Sequence, residues 1–132
     1  MAPRQSPELD AYAAALYERR GEGVLVPLRK LTVGGWSPLP NACHNNVSRI
    51  VATDQNWRPI RGWLYFDFGG YMPYVKFLSH SVIEMPEGVL VDITPQQRLQ
   101  DDHPFIRDLK SEDEYGEFIE TYQISELFHR VG

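Results

Sequence analysis

Apolar positions recur with two different periods along this chain, and the changes of period divide it into elements. Leu9, Tyr12, Ala13, Leu16 and Tyr17 follow helical spacing behind Ser6-Pro7, which reads as an N-cap and a proline at the first helical position. Arg19 and Arg20 suit the C-terminal end of the helix dipole and Gly21 stops it, so a packing helix is predicted within 1–21. Residues 24–33 are apolar and β-branched enough for a strand, with Pro27 pointing to a sheet edge. Residues 34–40 form a loop by composition. Asn41 is a candidate N-cap for the next helix, on which Cys43, Val47, Ile50 and Val51 share one face and which Asp54-Gln55-Asn56 ends. The Cys43 thiol therefore points inward from the first turn.

Residues 59–68 favour a strand through Ile60, Trp63, Leu64, Tyr65 and Phe66, and residues 69–73 form a turn. Residues 75–95 read as a hairpin folded about Pro86-Glu87-Gly88, with Pro86 early in a type I turn and Gly88 as its left-handed closing residue. That loop pairs Met85 with Val89, Val82 with Asp92 and His80 with Thr94. His80 and Asp92 become diagonal neighbours on one face, roughly 6–8 Å apart at Cβ. A loop one residue longer or shorter would separate them onto opposite faces. Beyond Pro95 come a polar stretch, Gln96–Asp102, a break at His103-Pro104 and an acidic helix start at residues 111–114. The predicted fold class is an antiparallel α+β domain. One domain over 1–132 is expected, with an N-terminal helix (1–21), a core (34–95) and a C-terminal extension (96–132).

The totals narrow the function classes. A chain of 132 residues, 42% hydrophobic and 23% charged, can bury a core of its own. A net charge of −5, with the basic residues scattered, argues against nucleic acid as a partner. No apolar run is long enough to cross a membrane, and the first ten residues lack the hydrophobic segment of a signal peptide, so a cytoplasmic protein is expected. Cys43 is the single cysteine, which excludes an internal disulfide and any multi-thiolate zinc site within one chain.

Cys43, His80 and Asp92 form the candidate catalytic set. A thiol attacks carbonyl carbon as thiolate, and its pKa falls near a helix N-terminus and beside an imidazolium. His80 would take the thiol proton and return it to the leaving amine, while Asp92 would fix the imidazole tautomer. The backbone N–H of Cys43 can donate to an oxyanion, and Trp36 (through its indole) and Asn41 are candidates for a second donor. Asn45, Asn46, Tyr71 and Tyr74 are candidates for lining the substrate. His44 follows Cys43 directly, about 100° around the helix, and is predicted at the rim rather than as the base.

The order of these residues resembles a family. A helix-borne Cys43, the Gly62-Trp63-Leu64 strand, His80 on a strand and Val91-Asp92-Ile93-Thr94-Pro95 on the next look like the transglutaminase-like branch of the papain-like thiol enzymes. The NlpC/P60-type amidases are similar in their Cys-then-His order. The resemblance covers residues 34–95 and implies a papain-like or transglutaminase-like core, an antiparallel sheet packed against the cysteine helix. It implies Cys43 as nucleophile, His80 as base and Asp92 as orienting acid in amide chemistry: hydrolysis, glutamine deamidation or acyl transfer. A peptide or protein substrate follows, with no cofactor and no metal. The family often carries aromatic residues just behind the Cys and the His, where this chain has Cys43-His44-Asn45-Asn46 and His80-Ser81-Val82-Ile83. Two other readings remain open: a zinc site of Cys43, His80 and Asp92, with His44 as a further ligand, and a non-catalytic inhibitor, immunity-type or assembly module using residues 96–132.

Overall fold

In the computed structural model, which describes residues 4–95 and 103–131, two long strands carry the rest of the chain. β1 (Arg58–Phe66) and β2 (Tyr74–Glu84) pair antiparallel from Arg58 opposite Glu84 to Phe66 opposite Lys76. β4 (Phe105–Arg107) lines the other edge of β1. The other edge of β2 is shared by β5 (Glu126–Arg130), which pairs with Tyr74–Leu78, and by β3 (Leu90–Val91), which pairs with Ile83 and Glu84. Among the described residues these strand ladders are all antiparallel, as expected for the α+β reading. The hairpin has the expected register: Ile83 faces Val91, Met85 N–H donates to Val89 O at 2.9 Å, and Gly88 holds φ +83.

Three helices cover one face of this sheet. α1 (Pro7–Glu18) begins as predicted, with Ser6 Oγ accepting from Leu9 N–H at 3.3 Å, and a 3-10 turn, Arg20–Glu22, follows it. Leu9, Ala13 and Leu16 of α1 pack with Trp63, Phe77, Ile106 and Leu127 of the sheet and with Tyr115 of α3 (Glu112–Tyr122). Val47 and Ile50 of α2 (Cys43–Val51) pack on Ile83, Val91 and Ile93. Val26, Leu64, Phe66, Val82 and Phe105 form a separate cluster. The buried carboxylate of Asp108 accepts from Trp63 Nε1 at 2.9 Å and from Tyr12 Oη, tying α1 to the sheet. Gly62, opposite His80 on β1, has no room for a side chain: a Cβ there would lie 2.2 Å from Ile106 O and 2.7 Å from Phe105 Cζ.

Two expectations fail. Residues 24–33 form no strand and make only isolated bridges, Val24 with Phe105, Leu28 with Asp92 and Val33 with Trp36. Pro27 has no N–H to donate, and the segment's bridges go to three separate places, so no ladder can propagate. The chain beyond Pro95 is more than an extension, because β4 and β5 are strands of the sheet itself. β4 is three residues long and β5 five, too short to show a period against their surroundings. The polar stretch 96–102 lies outside the described residues.

Candidate active site

Helix α2 starts without a side-chain cap. Ala42 holds the N-cap position, and Asn41, exposed at φ +60, does not cap as predicted. The first intrahelical bond runs from Asn46 N–H to Ala42 O at 2.8 Å, so the helix leaves the amides of Cys43, His44 and Asn45 unpaired. Cys43 thus sits at the first helical position with donor groups around it, which favours negative charge on sulfur.

Asp92 reaches His80 because the hairpin opens. Past Val91 the backbone parts from β2 and bonds to an upstream segment: Asp92 N–H donates to Pro27 O at 2.9 Å, and Arg29 N–H to Asp92 O at 2.7 Å. Between the stretches held by β5 and β3, His80 to Val82 have no strand ladder on that edge. Strand alternation puts His80 on the face opposite Ser79, Ser81 and Ile83, where α2 packs. The cysteine helix therefore meets His80 across this open edge, not over a shared face as the hairpin reading supposed.

The imidazole of His80 and the carboxylate of Asp92 are sealed, and Cys43 keeps 8% of its surface exposed. His80 Nε2 is paired with Asp92 Oδ2. Asp92 Oδ1 accepts from Thr94 N–H at 3.0 Å, which holds the carboxylate from behind. His80 Nδ1 is the one buried side-chain nitrogen or oxygen without a hydrogen-bond partner among the described residues. The Cys43 thiol is within interaction range of this ring without completing a bond to Nδ1. Burial alone would push the His80 pKa down; the hydrogen bond and charge of Asp92, with the nearby Cys43 sulfur, overcome it and hold the ring at about 9. Burial likewise pushes the Cys43 thiol up, and the neighbouring His44 and His80 rings outweigh it, bringing the thiol to about 6. Between these values the stable form is a thiolate beside an imidazolium.

Asn46 is a positioning residue, not part of a cleft wall. Its Oδ1 accepts from Leu39 N–H at 3.0 Å, and its Nδ2 donates to Leu39 O at 2.8 Å and Thr94 Oγ1 at 3.1 Å. One buried amide thus joins the loop before α2, the helix and the residue that holds Asp92. Asn46→Ala is expected to lose about 2 kcal/mol of stability in a denaturant titration, since it leaves polar groups without partners in a dry place.

His44 is not a solvated rim residue. Its ring, half-buried, engages Ser81 Oγ through Nδ1 and Ser79 Oγ through Nε2 at 3.3 Å, and lies edge-on to Tyr115 with centroids 5.9 Å apart. Arg61 Nη1 donates to His44 O at 3.2 Å and to Ser81 Oγ at 2.9 Å, and Nε donates to Glu112 Oε1 at 3.2 Å. These partners went unforeseen, although the signal was there: Ser79 and Ser81 flank His80, and Arg61 interrupts an apolar strand, placing polar groups on a face that should be core.

The remaining candidates stand elsewhere. The Trp36 ring lies under Arg49 (4.3 Å) beside Val47 and Ile50, about two turns along α2 from the thiol. Tyr74 begins β2, six residues or about 20 Å from His80, packed on Phe68 and Phe128, and Tyr71 precedes it fully exposed. Neither tyrosine can line a site at Cys43. Asn45 is exposed on the first turn of α2.

A groove of about 350 Å³ runs past His44, between the start of α2 and α3. A larger cleft of about 480 Å³, bordered by Gln5 and by Phe128 to Arg130, includes none of the candidate residues. Among the described residues, no group of three or more His, Cys, Asp or Glu side chains is arranged to hold a metal ion, and no helix is long and apolar enough to cross a membrane. Scanned against family models and compared with curated proteins and with solved structures, the chain gives no match.

Proposed function

We propose that this chain is a cysteine-dependent hydrolase or acyltransferase of amide bonds, built on a papain-like or transglutaminase-like core. One observation carries the reading: a sealed imidazole has one nitrogen on a buried carboxylate and the other unpartnered, and interacts with a thiol held at about 6. In this reading the Cys43 thiolate attacks the amide carbonyl, and the first-turn amides of α2 receive the oxyanion. The C–N bond breaks as His80 Nδ1–H gives its proton to the leaving nitrogen, which leaves an acyl-thioester on Cys43. Water or an amine then attacks that thioester, losing its proton to His80 and restoring the thiolate. Asp92 holds Nε2–H throughout, so the ring keeps the orientation that aims Nδ1 at sulfur. In this reading every step falls to a group of this chain, and the substrate is an amide of a peptide, an isopeptide or a glutamine side chain.

Iodoacetamide labelling of Cys43 across pH tests the central element. The rate is expected to reach half its plateau near pH 6, about three units below an ordinary thiol, whose value is 9.0. A rate that climbs only as pH nears 9 would remove the ion pair and the enzyme with it.

A further inference from the structure

Five residues of α3 form a stripe turned toward His44 and Arg61: Glu112, Tyr115, Gly116, Ile119 and Glu120, at helical offsets of three and four. They make one wall of the 350 Å³ groove whose other wall is His44 and Arg61. The groove adjoins the proposed nucleophile through His44, the residue next to Cys43 on the first turn of α2, whose ring stands 5.9 Å from that of Tyr115. Most of its polar members are already engaged: Arg61 with Glu112, the His44 ring with two serine hydroxyls, and Tyr115 Oη with Gly62 O at 2.8 Å, while the exposed Glu120 carboxylate faces solvent. The surface left between them is the Tyr115 ring, the Gly116 backbone and the Ile119 side chain.

Gly116 is the informative residue. It sits in the middle of an eleven-residue helix, where glycine is unfavourable. Nothing in the packing requires it, since a Cβ built there meets no atom within 4 Å. Its φ does not lie in the left-handed region either. What the missing side chain does is keep the floor of the groove open.

Resting on the thiol-enzyme reading, we propose that this groove is the substrate subsite of that enzyme and takes one apolar side chain, aromatic or branched aliphatic, of the acyl donor beside the attacked carbonyl. Its volume is ample for such a side chain, and its one unengaged charge, the Glu120 carboxylate, is exposed to solvent.

Two reagents with the same electrophile test it: iodoacetamide and N-(2-phenylethyl)iodoacetamide, each normalised to its rate with glutathione. The wild-type protein is expected to prefer the phenylethyl reagent roughly tenfold, the scale of discrimination a hydrophobic pocket supplies. Gly116→Leu, which fills the groove and favours the helix, should abolish that preference, read as the ratio of the two rates in the same protein. Equal rates in the wild type, or a preference that survives Gly116→Leu, would overturn the subsite. A second measurement is independent of the thiol. In Cys43→Ser protein, 3-phenylpropanamide should saturably shift the amide resonances of Tyr115, Gly116 and Ile119. No shift would overturn the subsite even if Cys43 is reactive, whereas a saturable shift with a sluggish wild-type thiol would uphold the groove and sink the enzyme.

Discussion

His80→Gln is expected to keep the fold and lose the nucleophile. Glutamine can still donate an amide hydrogen to Asp92 but cannot hold a proton for sulfur. The influence of His80 on the thiol then disappears, burial regains ground, and the thiol pKa rises from about 6 toward its ordinary value. At pH 6.5 the thiolate fraction should fall on the order of 10- to 100-fold, and iodoacetamide labelling with it. Amide turnover should fall further, on the order of 10³–10⁴-fold, because the proton donor for the leaving nitrogen is also gone. His80→Ala is the poorer variant: it strands a buried carboxylate, at a cost of about 3–5 kcal/mol. His44→Gln is the useful companion. It also acts on the thiol but stands outside the Asp92 pair, so it should raise the thiol pKa and spare the proton relay. If His80→Gln labels as fast as wild type at pH 6.5, the ring does not act on the sulfur and the triad is wrong.

The meeting of Cys43, His80 and Asp92 was legible in the sequence because each is placed by a local rule. Proline at position 86 and glycine at position 88 set a three-residue loop, and that loop sets the register that ends with Ile83 opposite Val91, one residue before Asp92. Apolar spacing over Cys43, Val47 and Ile50 set the helix and turned the thiol inward. The surroundings of the triad were not legible, because they arise from partners distant in sequence. Asn46 is a substrate-lining candidate from its place at the helix start, and only the distant Leu39 and Thr94 make it a structural joint instead. Tyr71 and Tyr74 looked close to His80 in sequence, but an extended strand carries them away at about 3.3 Å per residue. His44 was set aside by helical geometry within α2, which says nothing of the serines a neighbouring strand supplies. β4 and β5 are held by strands already in place and carry little signal of their own. Residues 24–33 had strand composition without a neighbour along their length, which shows how far β-propensity depends on context.

The thiolate–imidazolium pair also predicts a dependence of stability on pH that appears only when the pair is broken. His80 is raised from 6.5 to about 9 by folding, so its contribution is fully present below pH 6.5 and is lost as pH rises through 9. Cys43 is lowered from 9.0 to about 6, so its contribution is present above pH 9 and is lost as pH falls through 6. Between pH 6.5 and 9 the folded protein keeps one proton on the ring, and the unfolded chain keeps one on sulfur. Proton counts match, and the two contributions cancel in slope. Cys43→Ser deletes the sulfur half: the folded protein still binds a proton on His80, held by Asp92, while the unfolded chain binds none. Unfolding free energy of Cys43→Ser should therefore fall, relative to wild type, as pH rises from 6.5 toward 9. The full shift of His80 corresponds to about 3 kcal/mol, and the fall in Cys43→Ser should be smaller by the share that Cys43 contributes. Urea titrations of both proteins at pH 6.5 and 8.5 measure the difference, with every other titrating group cancelling between them. If the two proteins change in parallel with pH, folding places no proton on His80 at the expense of sulfur, and the charge-separated resting state on which the chemistry depends does not exist.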